Sequence, residues 1–156
     1  MPRVIDPRFK GLVSALEPPV DNDTRHLLPE FWAKLNAALT ALAAAGTPFK
    51  FVEGFRTVER QQWLYGSGRP GGQPYGRPGK IVTPDDGVRN RSKHQGDGTP
   101  GSGRAADCYP TRNGKVFIPV GTDPIWRTYA NAVVAHGLQA GLNFKRVDPP
   151  HCELPG

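Results

Sequence analysis

Apolar positions recur at helical spacing in three stretches of the chain. Phe9, Leu12, Val13 and Leu16 follow Asp6-Pro7, a capping residue with proline at the first helical position, and Pro18-Pro19 stops the segment. Phe31, Trp32, Leu35, Ala38, Leu39 and Leu42 form a longer stripe that begins near Pro29 and ends at Gly46. Asp123-Pro124 opens a third helix with Trp126, Tyr129, Ala130 and Val133 on one face, closing near Gly137 or Gly141. Between these, alternation predicts strands over Phe49 to Glu53, Arg104 to Tyr109 and Lys115 to Ile118, with Asn113-Gly114 as a hairpin turn. Thr57 can cap a short helix carrying Gln61, Gln62, Leu64 and Tyr65, and His151 to Leu154 reads as a last strand. A Gly- and Pro-rich loop is expected from Gly66 to Gly103, broken by the apolar pair Ile81-Val82. No repeat or composition break divides the chain, so residues 1–156 read as a single α+β domain.

Composition narrows the class without choosing a function. With 156 residues, 37% of them hydrophobic and 22% charged, the chain can build a hydrophobic core. No apolar run approaches the roughly 20 residues that span a bilayer, so stable membrane insertion is not expected. Met1-Pro2-Arg3-Val4-Ile5-Asp6-Pro7 lacks the apolar centre of a signal peptide, which predicts a cytoplasmic start. A net charge of +6 suits nucleic acid, anionic lipid or an anionic wall polymer. The basic residues are spread rather than clustered, and charge alone does not separate these partners. Two cysteines are too few for a disulfide scaffold.

Of four histidines, His26 and His136 have no second ligand-type residue nearby and read as structural or surface groups. His94 follows Ser92-Lys93, an extended stretch that would turn Ser92 and His94 to one side. Asp107 ends Gly103-Arg104-Ala105-Ala106-Asp107, where small residues let backbone pack closely beside a carboxylate. Asp148-Pro149-Pro150-His151 sets a second carboxylate three residues before a histidine across two stiff prolines. Two His and one Asp make a complete set for catalytic zinc, which keeps a fourth position open. Asp148 is then the spare carboxylate for proton transfer. A buried polar network without metal is an equally good reading of these residue types alone.

The order Ser92-x-His94, Gly103-x-Ala105-x-Asp107 and Asp148-x-x-His151 resembles the zinc signature of the D-alanyl-D-alanine carboxypeptidase and L-alanyl-D-glutamate endopeptidase family, to which several phage endolysins belong. Glu53-Gly54-Phe55-Arg56-Thr57 is similar to its strand-end arginine motif. Gln61-x-x-Leu64-Tyr65-x-x-Gly68-Arg69 and Gly79-Lys80-Ile81-Val82-Thr83 are similar to segments of its endopeptidase branch, and Gly141-Leu142-Asn143-Phe144 to the approach to its last histidine. The resemblance implies a small α+β domain with a central antiparallel sheet flanked by helices, as in Hedgehog and D-Ala-D-Ala peptidase folds. It implies Zn2+ on His94, Asp107 and His151, with Asp148 as general base and Arg56 stabilising the oxyanion. Ser92 and Gln61 become candidates for substrate contact, and Glu153 for orienting a ligand. Twelve residues, 95–106, separate His94 from Asp107, more than the family's usual spacing. Asp97 lies closer to His94, but only Asp107 has the Gly-x-Ala-x-Asp context.

The activity so implied is hydrolysis of stem peptide bonds in bacterial peptidoglycan by a monomer, as in an endolysin that waits in the host cytoplasm and acts on the wall after release. Cleavage between L-alanine and D-glutamate is favoured over D-alanyl-D-alanine carboxypeptidase activity. An inactive zinc-stabilised module and a nucleic-acid-binding domain are the competing classes; Arg56 and Asp148 argue against the former, and a zinc site is not needed by the latter. Cys108 and Cys152 each follow a proposed ligand, so strand alternation predicts buried thiols close together behind the sheet, reduced as the favoured reading and disulfide-bonded as the alternative.

Overall fold

The computed structural model describes residues 17–71 and 75–156. The helix expected between Asp6 and Leu16 lies outside the described residues. The remaining helices form where the apolar stripes place them. Helix α1 (Pro29–Ala44) starts on its proline and buries Phe31, Leu35, Ala38 and Leu42. Its end is closed by Thr47 N–H donating to the Leu42 carbonyl at 2.9 Å. Helix α2 (Val58–Gly66) is capped by Thr57, whose hydroxyl accepts from Arg60 N–H. Helix α3 (Ile125–Ala135) buries Trp126, Tyr129, Ala130 and Val133. Asp123 accepts from Ile125 N–H at its start.

Strands β1 (Phe49–Glu53), β2 (Ala105–Arg112), β3 (Lys115–Val116), β4 (Gln139–Ala140) and β5 (His151–Glu153) build one antiparallel sheet in the order β1-β2-β5-β4, with β3 hairpinned onto β2. Three details depart from expectation. β2 runs on to Arg112 rather than ending at Tyr109, β3 stops at Val116 rather than Ile118, and β4 is too short for its alternation to show in the sequence. Helices α1 and α3 cover one face. There Phe49 stacks on Tyr129 with ring centroids 4.7 Å apart, and Ala106, Cys108, Ala140 and Cys152 complete the core. Alternation along β2 and β5 then turns Asp107 and His151 to the opposite face.

Both thiols are fully buried and free, as expected. They lie within hydrogen-bonding reach of each other and of the Tyr129 hydroxyl. Burial, followed by the neighbouring thiol, pushes the Cys108 thiol far above its usual range.

The 66–103 region is irregular, yet it is knit to the rest. Gly101 and Gly103 N–H both donate to the His26 carbonyl, and Leu27 forms a parallel bridge with Gly103. Gly96 has φ +53°, and a Cβ there would meet the Ser102 carbonyl oxygen at 2.0 Å. Only glycine fits this close approach. Among the described residues no helix is long and apolar enough to cross a membrane.

Candidate active site

The segment around His94 is not extended. Lys93–Gln95 is a 3-10 turn, because Ser92 and Gln95 cap each other: the Ser92 hydroxyl accepts from His94 N–H at 3.2 Å, and the Gln95 amide oxygen accepts from Ser92 N–H at 2.9 Å. Alternation therefore does not set the direction of His94. Its Nδ1 donates to the Gly54 carbonyl at 2.7 Å, which fixes the tautomer and leaves Nε2 free. That nitrogen lies 3.7 Å from Asp107 Oδ1.

His151 uses its ring in the opposite sense. Nε2 donates to Glu153 Oε1 at 2.8 Å, and Nδ1 lies 3.6 Å from Asp107 Oδ1. The strand register explains the convergence, since Asp107 and His151 are directly paired across β2 and β5. One donor atom from each of His94, Asp107 and His151 falls within 4.8 Å of the others. Tetrahedral zinc with ligand bonds of about 2.0–2.2 Å places its donors about 3.3–3.6 Å apart. The donor set, its spacing and the carbonyl or carboxylate behind each imidazole all fit a zinc ion.

Electrostatics support the same division of labour. Burial, then the Arg56 charge, pushes His94 well below the usual histidine range, so it stands neutral as a ligand must. Burial opposes the charge on Asp107, but the His151 hydrogen bond and the Arg56 and His151 charges offset it and hold the carboxylate ionised. Burial also disfavours charge on His151, yet bonds to Asp107 and Glu153 prevail and its pKa is pushed up to about 10.

The triad lies in a cleft of about 700 Å³ whose lining includes Arg56, Ser92, Asp148, Tyr109, Phe144 and Arg146. Asp148 sits at its mouth, half-exposed, with Oδ2 3.8 Å from His151 Nδ1. Burial and the nearby Asp107 raise its pKa, which suits a group that accepts a proton. Arg56 donates through Nη2 to Asp107 Oδ2 at 2.9 Å and to Glu53 Oε1 at 3.2 Å. Its Nη1 donates to Gln61 Oε1 at 3.2 Å. Gln61 is fully buried, and its amide nitrogen donates to the Asp85 carbonyl at 2.9 Å. Gln61 thus braces Arg56, and Ser92 braces His94.

Asp97 stays outside the cluster. It is exposed, and it accepts from Thr99 N–H at 2.9 Å within its own loop. His26 pairs with Asp21 at 2.6 Å, and His136 donates to the Ala132 carbonyl at 2.8 Å, so neither joins the site. Sequence reasoning missed Glu53 and Tyr109 as cleft residues. Tyr109 was within reach of it, two positions beyond Asp107 on the same strand. A further concavity of about 590 Å³, lined by residues including Pro18, Pro19 and Phe55, contains none of the triad.

By sequence the chain matches no family profile and no curated relative. Solved structures match it in fold, among them three peptidoglycan peptidases. An L-Ala D-Glu endopeptidase, ChiX of Serratia marcescens, aligns with TM-score 0.55 and 22% identity over 85% of this chain and 83% of that one. The LD-carboxypeptidase LdcB aligns with TM-score 0.52 and 15% identity, over 90% of this chain and 65% of its own. The vancomycin-resistance D,D-dipeptidase VanXYg, solved with a D-Ala-D-Ala phosphinate analogue, aligns with TM-score 0.51 and 22% identity over 93% and 61%. The chain has the fold of these peptidases. The α+β architecture implied by the sequence is thereby met.

Proposed function

We propose that the chain is a zinc peptidase of bacterial peptidoglycan, cutting the stem peptide between L-alanine and D-glutamate in the manner of a phage endolysin. The observation that carries this reading is the convergence of His94 Nε2, Asp107 Oδ1 and His151 Nδ1 on one point of a cleft that also holds Asp148 and Arg56. The choice of bond rests on the likeness of the Gln61-to-Arg69 and Gly79-to-Thr83 segments to the endopeptidase branch.

Zinc held by the triad would supply Lewis-acid chemistry, polarising a peptide carbonyl and making water a competent nucleophile near neutral pH. Asp148 takes the proton from the attacking water and returns it to the leaving amine, which its raised pKa and its place at the cleft mouth favour. Arg56 faces the charge that develops on the carbonyl oxygen, with Gln61 limiting its swing. Glu153 keeps the His151 ring turned so that Nδ1 points into the cleft.

Mass spectrometry of purified peptidoglycan incubated with the zinc-loaded protein tests the reading. Fragments with a new D-glutamate amine, absent when a chelator is added, are expected. Release of free D-alanine instead would assign carboxypeptidase activity, and an unaltered wall would reject the enzyme reading.

A further inference from the structure

Glu53 is a buried carboxylate, 6% exposed, that no step of the proposed chemistry uses. It is directly opposite Asp107 across β1 and β2, at a point where the register shifts between Phe51 and Glu53. Such an irregularity re-aims a side chain, and here the carboxylate points into the cleft between two arginines. Oε1 accepts from Arg56 Nη2 at 3.2 Å, and Oε2 accepts from Arg60 Nε at 2.8 Å. Arg60 is equally buried and is also paired with Glu17.

The same Arg56 nitrogen that meets Glu53 also donates to Asp107 Oδ2. Oδ2 is thereby committed to Arg56, and Oδ1 is left as the oxygen nearest both imidazoles. Arg56 Nε is buried among these groups and has no hydrogen-bond partner among the described residues, so the contacts seen hold the guanidinium by its two terminal nitrogens. A carboxylate buried only to balance charge would need one arginine. This one bridges two, and joins a side chain on α2 to one that faces the triad.

We propose that Glu53 is a positioning residue: it fixes the Arg56 guanidinium against Asp107, so that Asp107 presents Oδ1 alone to the triad, with Arg60 as its counter-charge. The proposal adds a residue to the proposed site, and it concerns the geometry of Arg56 in the metal-free protein as much as in the loaded one. Buried charges lose much when one partner is removed. The double variant is therefore the control for folding.

Hydrogen exchange at the Arg56 Nη2 protons, which Glu53 and Asp107 accept, followed by NMR in metal-free protein, reads the positioning without substrate. Glu53→Gln should accelerate that exchange by about tenfold or more, as loss of a charge-assisted hydrogen bond implies. With zinc and wall substrate, kcat should fall about 10–100-fold, the range for residues behind a metal ligand, with KM nearly unmoved. Glu53→Gln combined with Arg60→Gln removes both buried charges and should recover the melting midpoint without recovering exchange protection or kcat. Unchanged exchange in Glu53→Gln, or its full recovery in the double variant, would overturn the proposal. Absence of wall cleavage by the wild type, with Arg56 protected as expected, would refute the peptidase reading and leave the positioning role standing.

Discussion

Glu153 and His151, two residues apart on β5, are joined by a hydrogen bond of 2.8 Å from Nε2 to Oε1. The ring is thereby held with Nδ1 toward Asp107, the reverse of the His94 ring, whose Nδ1 is taken by the Gly54 carbonyl. Glu153→Ala should lower zinc affinity about 10–100-fold while the fold persists, measured by competition with a chromogenic chelator. Unaltered affinity would assign Glu153 to its other partner, Lys93, at 3.3 Å.

The proposed ligands and the proposed general base separate in a comparison of metal content with rate. His94→Ala should lose zinc and activity together. Asp148→Ala should keep one zinc per chain and a near-normal melting midpoint, yet lose about 10²–10⁴-fold in kcat. Loss of zinc from Asp148→Ala would make that carboxylate a ligand and reopen the assignment of Asp107.

The protonation of His151 would make the proposed metal binding pH-dependent. In the metal-free protein its raised pKa, about 10, means that the charged ring contributes stability that is fully present below about 6.5, the unfolded value, and lost as pH rises through about 10. Zinc needs Nδ1 without its proton. Affinity should therefore rise with pH between about 6.5 and 10, and near neutrality each bound ion should release one proton from His151. Calorimetry in two buffers of different ionisation enthalpy counts that proton. Release of none would remove His151 from the ligand set.

Gly141 is pressed against the 148–151 turn. A Cβ there would meet the Asp148 carbonyl oxygen at 2.2 Å and His151 Cβ at 2.8 Å, while the Gly141 carbonyl accepts from Asp148 N–H at 3.0 Å. Gly141→Ala should cost about 1–3 kcal/mol in urea unfolding, in line with overpacking at tight sites, and should weaken zinc binding as well. Stability lost with zinc binding intact would show that the 148–151 turn moves as a unit.

What the sequence revealed follows from how far each constraint reaches along the chain. Stripes such as Phe31-Leu35-Ala38-Leu42 and caps such as Thr57 act within a few residues, and the elements they imply are present. Asp107 and His151 were legible as partners through motif order, and Cys108 and Cys152 through alternation along their strands. The capping of Ser92 by Gln95 was written locally but was read as extended chain, since a histidine two residues away suggested alternation. Glu53 was not legible. Its role depends on Arg60 one turn into α2 and on Asp107 54 positions away, and no local pattern links them.

The pairing of Asp107 with His151 also has a meaning for errors of assembly. Each strand carries an oxygen or nitrogen donor on its wet face and a thiol one step along on its dry face. A one-residue slip exchanges the faces of a strand completely. If β5 docked one residue out, Cys152 would enter the cleft beside His94 and Asp107, and His151 would be driven into the apolar layer beneath α1 and α3. Thiolate is the softer ligand and captures zinc readily. The backbone alignment of a three-residue strand thus decides whether the cleft would offer a metal an imidazole or a thiolate.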